Sequence, residues 1–239
     1  MELVWSALGL SLVVFFLGAF AQGTAGFGLA LVAVPILGQV NSDWVPGPIL
    51  GVTFLLSAVI VWRDGRLVDR RALVIPMSGQ VVGIGLALMV LDAVTPRTIS
   101  ILIGSIVLVA VVLSGFGFRV RPTSRSFAVA GTLAGFMGTT ASIPGPPLAL
   151  LHQGASPAQL RATMAHFFVV GNGLGLIGLA WTGRLSLDEV QASLLVFPAA
   201  ALGYWTASRT AGYLPASLIR WLVLVFSALG AMMLIYRAS

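Results

Sequence analysis

Apolar positions dominate the 239-residue chain in long runs, and polar residues gather in the short stretches between them. Runs at 3–21, 47–62, 72–91, 98–117, 157–181, 188–207 and 218–236 each read as a membrane-spanning helix, because about 20 residues cross a ~30 Å hydrocarbon layer. The first run ends in Ala19-Phe20-Ala21 like a signal peptide, but it lacks a positively charged start and reads as the first membrane helix. Residues 3–40 cannot be one helix, since at 1.5 Å per residue it would reach ~57 Å. Within them "QGTAGFG" (22–28) is a natural interruption, leaving 29–40 as a second, shorter helical piece. In the second half "GTTASIPGPP" (138–147) lies between the apolar pieces 126–137 and the one after Pro147. Glycine costs about 1 kcal/mol and proline about 3 relative to alanine in a helix, so both stretches are expected to break it.

The two interruptions belong to a wider repetition. "WRDGRLVD" at 62–69 is echoed by "WTGRLSLD" at 181–188, and a proline follows each tryptophan at the same distance, Pro96 and Pro215. "VIP" at 74–76 answers "VFP" at 196–198, and "GAFAQGTAGFG" at 18–28 has a loose counterpart in "GTLAGFMGTTA" at 131–141. The ordered set predicts two homologous repeats, 1–121 and 122–239, joined by the basic "RVRPTSR" into one integral membrane domain. The expected fold is an all-α polytopic membrane protein. If the short pieces fold back or form one broken crossing, there are about eight spans; if each crosses, there are ten elements and the second repeat is inverted. Arginine placement is compatible with both. The eight-span arrangement puts arginines 63, 66, 70, 71, 119, 121, 125, 184 and 237 inside. The inverted one moves 161, 209 and 220 in and 184 and 237 out, leaving 97, 184 and 237 outside.

Composition narrows the class. Only 8% of residues are charged, 58% are hydrophobic, and the mean hydropathy is +1.03, whereas a soluble domain carries about 25% charged residues. The thirteen basic residues are all arginines scattered between apolar segments, which argues for topology determinants and against nucleic-acid binding. With no cysteine, two histidines and seven acids, neither a metal site nor a cofactor is expected. The expected partners are the lipid bilayer, a small solute, a coupling ion such as a proton, and, as an open question, a second copy of the chain.

Chemistry is expected at the breaks. Unwound backbone survives in a membrane only where protein or a wet cavity satisfies it. A helix starting at a break presents bare N–H groups and a positive dipole end, and Pro146 and Pro147 suit such a first turn. With the hydroxyls of Thr139, Thr140 and Ser142, and with Gln22 and Thr24 from the first repeat, these groups would hold an anion without a buried cation. Gly26, Gly28 and Gly145 would allow close backbone approach. The competing reading is packing, which small residues such as the Gly131–Gly135 pair serve in membrane helices. Arg161 reads as an interface anchor or a ligand contact, Asn172 and Gln80 as interhelical bonds or ligand contacts, and His166 as a proton-coupling candidate or a structural histidine.

"FAQGTAGFGLALVAVPIL" and "GFMGTTASIPGPPLALL" followed by "LRAT" resemble the sulfite exporter TauE/SafE family across essentially the whole chain. The resemblance implies an inner-membrane permease for sulfite, thiosulfate or organosulfonate anions. By position it carries over Gln22, Gly26, Phe27, Gly28 and Pro35 from the first motif, and Gly138, Thr139, Gly145, Pro146 and Pro147 from the second, with Arg161, Thr163 and Asn172 following. The chain departs from the pattern at Ser57, where an asparagine is expected, and at Ile143-Pro144. The function expected is secondary transport, as an exporter, by alternating access around a midplane site. The alternatives are a passive anion channel and an intramembrane hydrolase using Ser142 with His166.

Overall fold

The computed structural model describes residues 2–65, 68, 73–116, 120–210 and 216–238. Arg66, Arg70, Arg71, Arg119 and Pro215, which enter the topology and repeat readings, lie outside the described residues. Among the described residues there are ten α-helices and no strand: α1 (Glu2–Ala25), α2 (Leu29–Val40), α3 (Gly47–Asp64), α4 (Val74–Ala93), α5 (Pro96–Gly115), α6 (Ser124–Ala141), α7 (Gly145–Leu151), α8 (Pro157–Trp181), α9 (Leu187–Thr210) and α10 (Ala216–Ala238). A 3₁₀ turn, Ser42–Trp44, precedes α3. Seven helices are long and apolar enough to cross a membrane, and α2 is a shorter apolar helix. Large apolar side chains such as Val81, Met89, Leu195 and Phe226 point outward, as they do where the solvent is lipid.

Local chemistry sets the helix starts. Pro48, Pro96, Pro146 and Pro157 all fall in first turns, where a missing N–H goes unnoticed. Thr123 with Ser126, and Ser156 with Gln159, form reciprocal caps at the starts of α6 and α8. Inside α2, Pro35 cannot donate to the carbonyl of Leu31. The hydroxyl of Ser227 on α10 replaces that donor, 2.6 Å from Leu31 O.

Small residues set the helix contacts. Gly131 and Gly135 of α6 lie against the backbone of Pro76 and Gln80 of α4, so a Cβ at either would overlap a carbonyl oxygen. Gly203 of α9 lies in the same way against Phe16 of α1. The Gly131–Gly135 pair therefore packs helices. The order of these contacts makes α4 and α6 parallel. Gly65 lies by His166, and Gly175 by Leu50, so α3 and α8 run antiparallel. α5 and α10 are antiparallel too, with Gly104 beside Ala231 and Gly115 beside Leu224. The main packing pairs are α4 on α6, α1 on α9, α3 on α8 and α5 on α10. Exchanging each helix for the one five places along the chain leaves that set unchanged.

Replacing Ser227 with alanine strands a buried carbonyl and is expected to cost about 1–3 kcal/mol, read as a lower unfolding temperature in detergent. Gly131→Leu is expected to be more damaging than leucine at the uncrowded Gly85 of the neighbouring helix, because the intruding side chain must separate two backbones. Equal unfolding temperatures for the two leucine variants would contradict the packing described.

Candidate functional site

The two breaks occupy equivalent steps of the chain. α1 ends at Ala25 and α6 at Ala141, while α2 begins at Leu29 and α7 at Gly145, each pair 116 residues apart. The first residue after each helix takes a left-handed conformation, Gly26 with φ 86° and Ser142 with φ 59°. This pairs Thr24 with Thr140 and Gln22 with Gly138, three residues away from the pairing suggested by the Gly/Ala pattern of the sequence. Side-chain identity drifts in these small-residue stretches, whereas the point at which the helix ends is held by the fold.

The breaks meet inside the bundle. A Cβ on Gly145 would come 2.8 Å from Cβ of Phe27, so only glycine lets α7 start against the first break. Between them lies a small cavity of about 20 Å³, room for a single water. Its walls include Gln22, Phe27 and Gly28 of the first break, Ser142, Gly145 and Pro146 of the second, and Thr53 and Phe168 from the middle of α3 and α8. Among the described residues, no titratable side chain lines it.

Each break is tied to one end of the central helix pair. The Ser142 hydroxyl donates to Pro46 O at 2.9 Å, beside the start of α3. The backbone of Gly26 approaches Leu160 and Arg161 near the start of α8. A larger cavity lies beyond each tie. One, of about 500 Å³, is lined by Thr24, Phe27, Pro146, Leu160 and Arg220. The other, of about 780 Å³, is lined by Pro46 at the opposite end.

The donor supply is unequal. α2 starts at Gly28 with no side-chain cap, and its first bonded amide is Val32, which donates to Gly28 O. The N–H groups of Leu29, Ala30 and Leu31 therefore have no intrahelical acceptor, and Ala30 and Leu31 line the cavity. α7 has prolines at its second and third positions, so two of the N–H groups expected at the second break do not exist. The main-chain donors come chiefly from the first break. Side chains add to them: the amide nitrogen of Gln22 is buried against the cavity with no hydrogen-bond partner. The hydroxyls of Thr140 and Ser57 and the amide nitrogen of Asn172 are also buried and unpartnered. Buried polar atoms in folded proteins are nearly always paired, so the unused Gln22 donor on the cavity wall marks a place suited to an acceptor-rich guest.

The remaining sequence-predicted residues fall elsewhere. Thr24 bonds Ala21 O within its own helix and faces the 500 Å³ cavity. Thr139 packs beside Gly175 of α8. Arg161 does not line the cavity, and its backbone lies beside Gly26. His166 is 2.7 Å from its own Ala162 O and lies against Gly65, not on the cavity. Ser142 sits by the start of α3 and His166 by its end, ~27 Å apart along an 18-residue helix. The Ser–His pair that hydrolysis requires is not assembled. Thr53 and Phe168 went unnoticed in the sequence. The available signal was spacing: Thr53 and Ser57, like Phe168 and Asn172, are four residues apart and share a helix face.

The sequence pattern of the sulfite exporter TauE/SafE family matches residues 10–234. The chain belongs to this family. TauE/SafE proteins are membrane transporters of sulfite-type anions, which makes this TauE/SafE chain a multi-pass membrane transporter. No curated protein and no solved structure matches it.

Gln22→Leu removes the unpartnered amide at nearly constant volume. It is expected to leave the unfolding temperature unchanged or raised, because a buried unsatisfied donor disappears, while abolishing the stabilisation that sulfite gives the parent protein. A lowered unfolding temperature with sulfite stabilisation intact would make Gln22 a packing residue instead.

Proposed function

We propose that this chain exports a small sulfur oxyanion or organosulfonate across the inner membrane, by alternating access between two inverted repeats, 1–121 and 122–239. The observation that carries the reading is the small cavity between the two breaks, where the Gln22 amide and the N–H groups of Ala30 and Leu31 lack acceptors and where no titratable side chain among the described residues lines the wall. A sulfite or sulfonate group presents several oxygens and no donors in its ionised form. It suits the N–H groups of Leu29, Ala30 and Leu31 and the Gln22 amide, whereas the Thr53 hydroxyl on the same wall already donates to Ile49 O.

Alternation follows from the two ties. The Ser142–Pro46 contact separates the cavity from the 780 Å³ side, and Gly26, Phe27 and Pro146 separate it from the 500 Å³ side. Loosening one tie while the other holds would open the site to one side only, the requirement for a carrier as opposed to a channel.

Arginine placement supports one sidedness. Among the described arginines, 63, 121, 125, 161, 209 and 220 belong to the end bearing the 500 Å³ cavity and 97, 184 and 237 to the other, which favours the former as cytoplasmic. An anion leaving the cell moves with the membrane potential, worth about 2.3 kcal/mol per charge per 100 mV. Export then needs no coupling ion, in keeping with a cavity that holds no proton carrier.

Thermal unfolding in detergent against sulfite, sulfate, thiosulfate, taurine, sulfoacetate and matched carboxylates is expected to show stabilisation by sulfur anions alone. Stabilisation by carboxylates only would reject the substrate class. In proteoliposomes, saturable counterflow of labelled sulfoacetate is expected, and its absence alongside passive flux would indicate a channel. Ser142→Ala is expected to change flux severalfold without abolishing it, since one gate hydrogen bond contributes about 1 kcal/mol.

A further inference from the structure

Three arginines stand apart from the positive-inside pattern. Arg97 opens α5, Arg184 lies between α8 and α9, and Arg237 is in the last turn of α10. All three are on the end that the arginine balance makes outer, where basic residues are disfavoured as topology signals. They do not scatter there: all three line the 780 Å³ cavity, together with Pro46, Ser100 and Gln39. Arg97 Nε donates to Ala238 O at 2.6 Å, and Arg184 stands 3.9 Å from Asp92, so two of the guanidiniums are tethered at the rim. Two carboxylates, Asp43 and Glu189, share the wall. Both also border an adjoining cavity of about 430 Å³ with Asp188, and Glu189 is bound to Ser186 at the start of α9. The basic groups come from three different parts of the chain, and the wall they share reaches Pro46, whose carbonyl accepts the Ser142 hydroxyl of the second break.

We propose that this cavity is an outer vestibule that recognises a free small oxyanion or sulfonate through Arg97, Arg184 and Arg237. The proposal rests on the transport reading above and adds to it a second, outer anion site in line with the small cavity. Guanidinium groups bind planar or tetrahedral oxyanions through paired N–H donors. The wall carries three guanidiniums against two carboxylates, Asp43 and Glu189, and a positive excess of this kind raises the local concentration of small anions. In an exporter the vestibule holds the released anion off the gate until it diffuses away, and in exchange it captures the returning one. The phosphate of an anionic lipid offers the same oxygens, so the test separates the two.

The chain has no cysteine, so Ser100→Cys places a single thiol on the vestibule wall. The full-length protein in phosphatidylcholine nanodiscs would be labelled with an anionic sulfonatoethyl and with a cationic trimethylammonioethyl methanethiosulfonate. The anionic-to-cationic rate ratio is expected to fall at least about tenfold when Arg97, Arg184 and Arg237 are changed to glutamine. Sulfate at millimolar concentration is expected to slow the anionic reagent only in the arginine background, beyond its effect as an ionic-strength control. An unchanged ratio, or a sulfate effect equal in both backgrounds, overturns the vestibule. So does slowing that requires phosphatidylglycerol nanodiscs and is indifferent to sulfate, which would make it a lipid headgroup site. If the triple variant fails to fold, Arg237→Gln alone is expected to lower the ratio about two- to threefold, and no change there overturns the proposal equally. Sulfoacetate counterflow on the same proteins separates the two levels. A protein that carries the anion with a charge-blind vestibule loses only the vestibule. One whose vestibule selects the anionic reagent but which carries no anion in either direction loses the transport reading.

Discussion

Hydrocarbon offers no partner to a bare N–H or C=O, so a helix that ends inside a membrane must have its loose groups taken up by protein or by a guest. Other features of the bundle follow from how two such endings are accommodated. Both breaks face each other, shielded from lipid by α3 and α8, and the chain needs glycine at Gly145 to bring them that close. Where a proline orphans a carbonyl away from the site, as at Leu31, another helix supplies the missing donor through Ser227. At the cavity itself, the Gln22 amide nitrogen goes without a protein acceptor.

The same arrangement accounts for the absence of a buried cation at the cavity. An arginine in the middle of the bundle would need a permanent counter-charge or would bind its anion too firmly to release it. Dipoles and amide donors hold an anion with less grip, and they cost less when the site is empty. Arginines are instead placed at the two ends, Arg220 beside one outer cavity and Arg97, Arg184 and Arg237 beside the other. Attraction at the mouths and modest binding at the centre is a sensible division for a protein whose task is to let go.

Antiparallel packing of α3 on α8 and of α5 on α10 gives each end of the molecule a version of the same contact. At one end a left-handed Gly26 abuts the start of α8, and at the other a left-handed Ser142 is bonded just ahead of α3. The two are chemically different: Gly26 offers only a close backbone contact, whereas Ser142 offers a hydroxyl.

Seven long crossings, the two interruptions and the packing role of Gly131 and Gly135 could all be read from residue order, because each depends on near-neighbour chemistry: apolar length, loss of helix propensity, absence of a Cβ. Gln22, Gly28, Ser142, Gly145 and Pro146 were picked out in the same way, Phe27 through the family resemblance, and all six line one cavity. Other placements depended on the fold. Thr24 turned back on its own helix, His166 went to the far end of α3 from Ser142, and Thr53 and Phe168 joined the wall unannounced. Which way a helical residue faces, and what lies opposite it, is set by contacts between segments more than a hundred residues apart, and linear spacing holds no information on them. The register of the two breaks and the gathering of three distant arginines around one cavity are consequences of that packing alone.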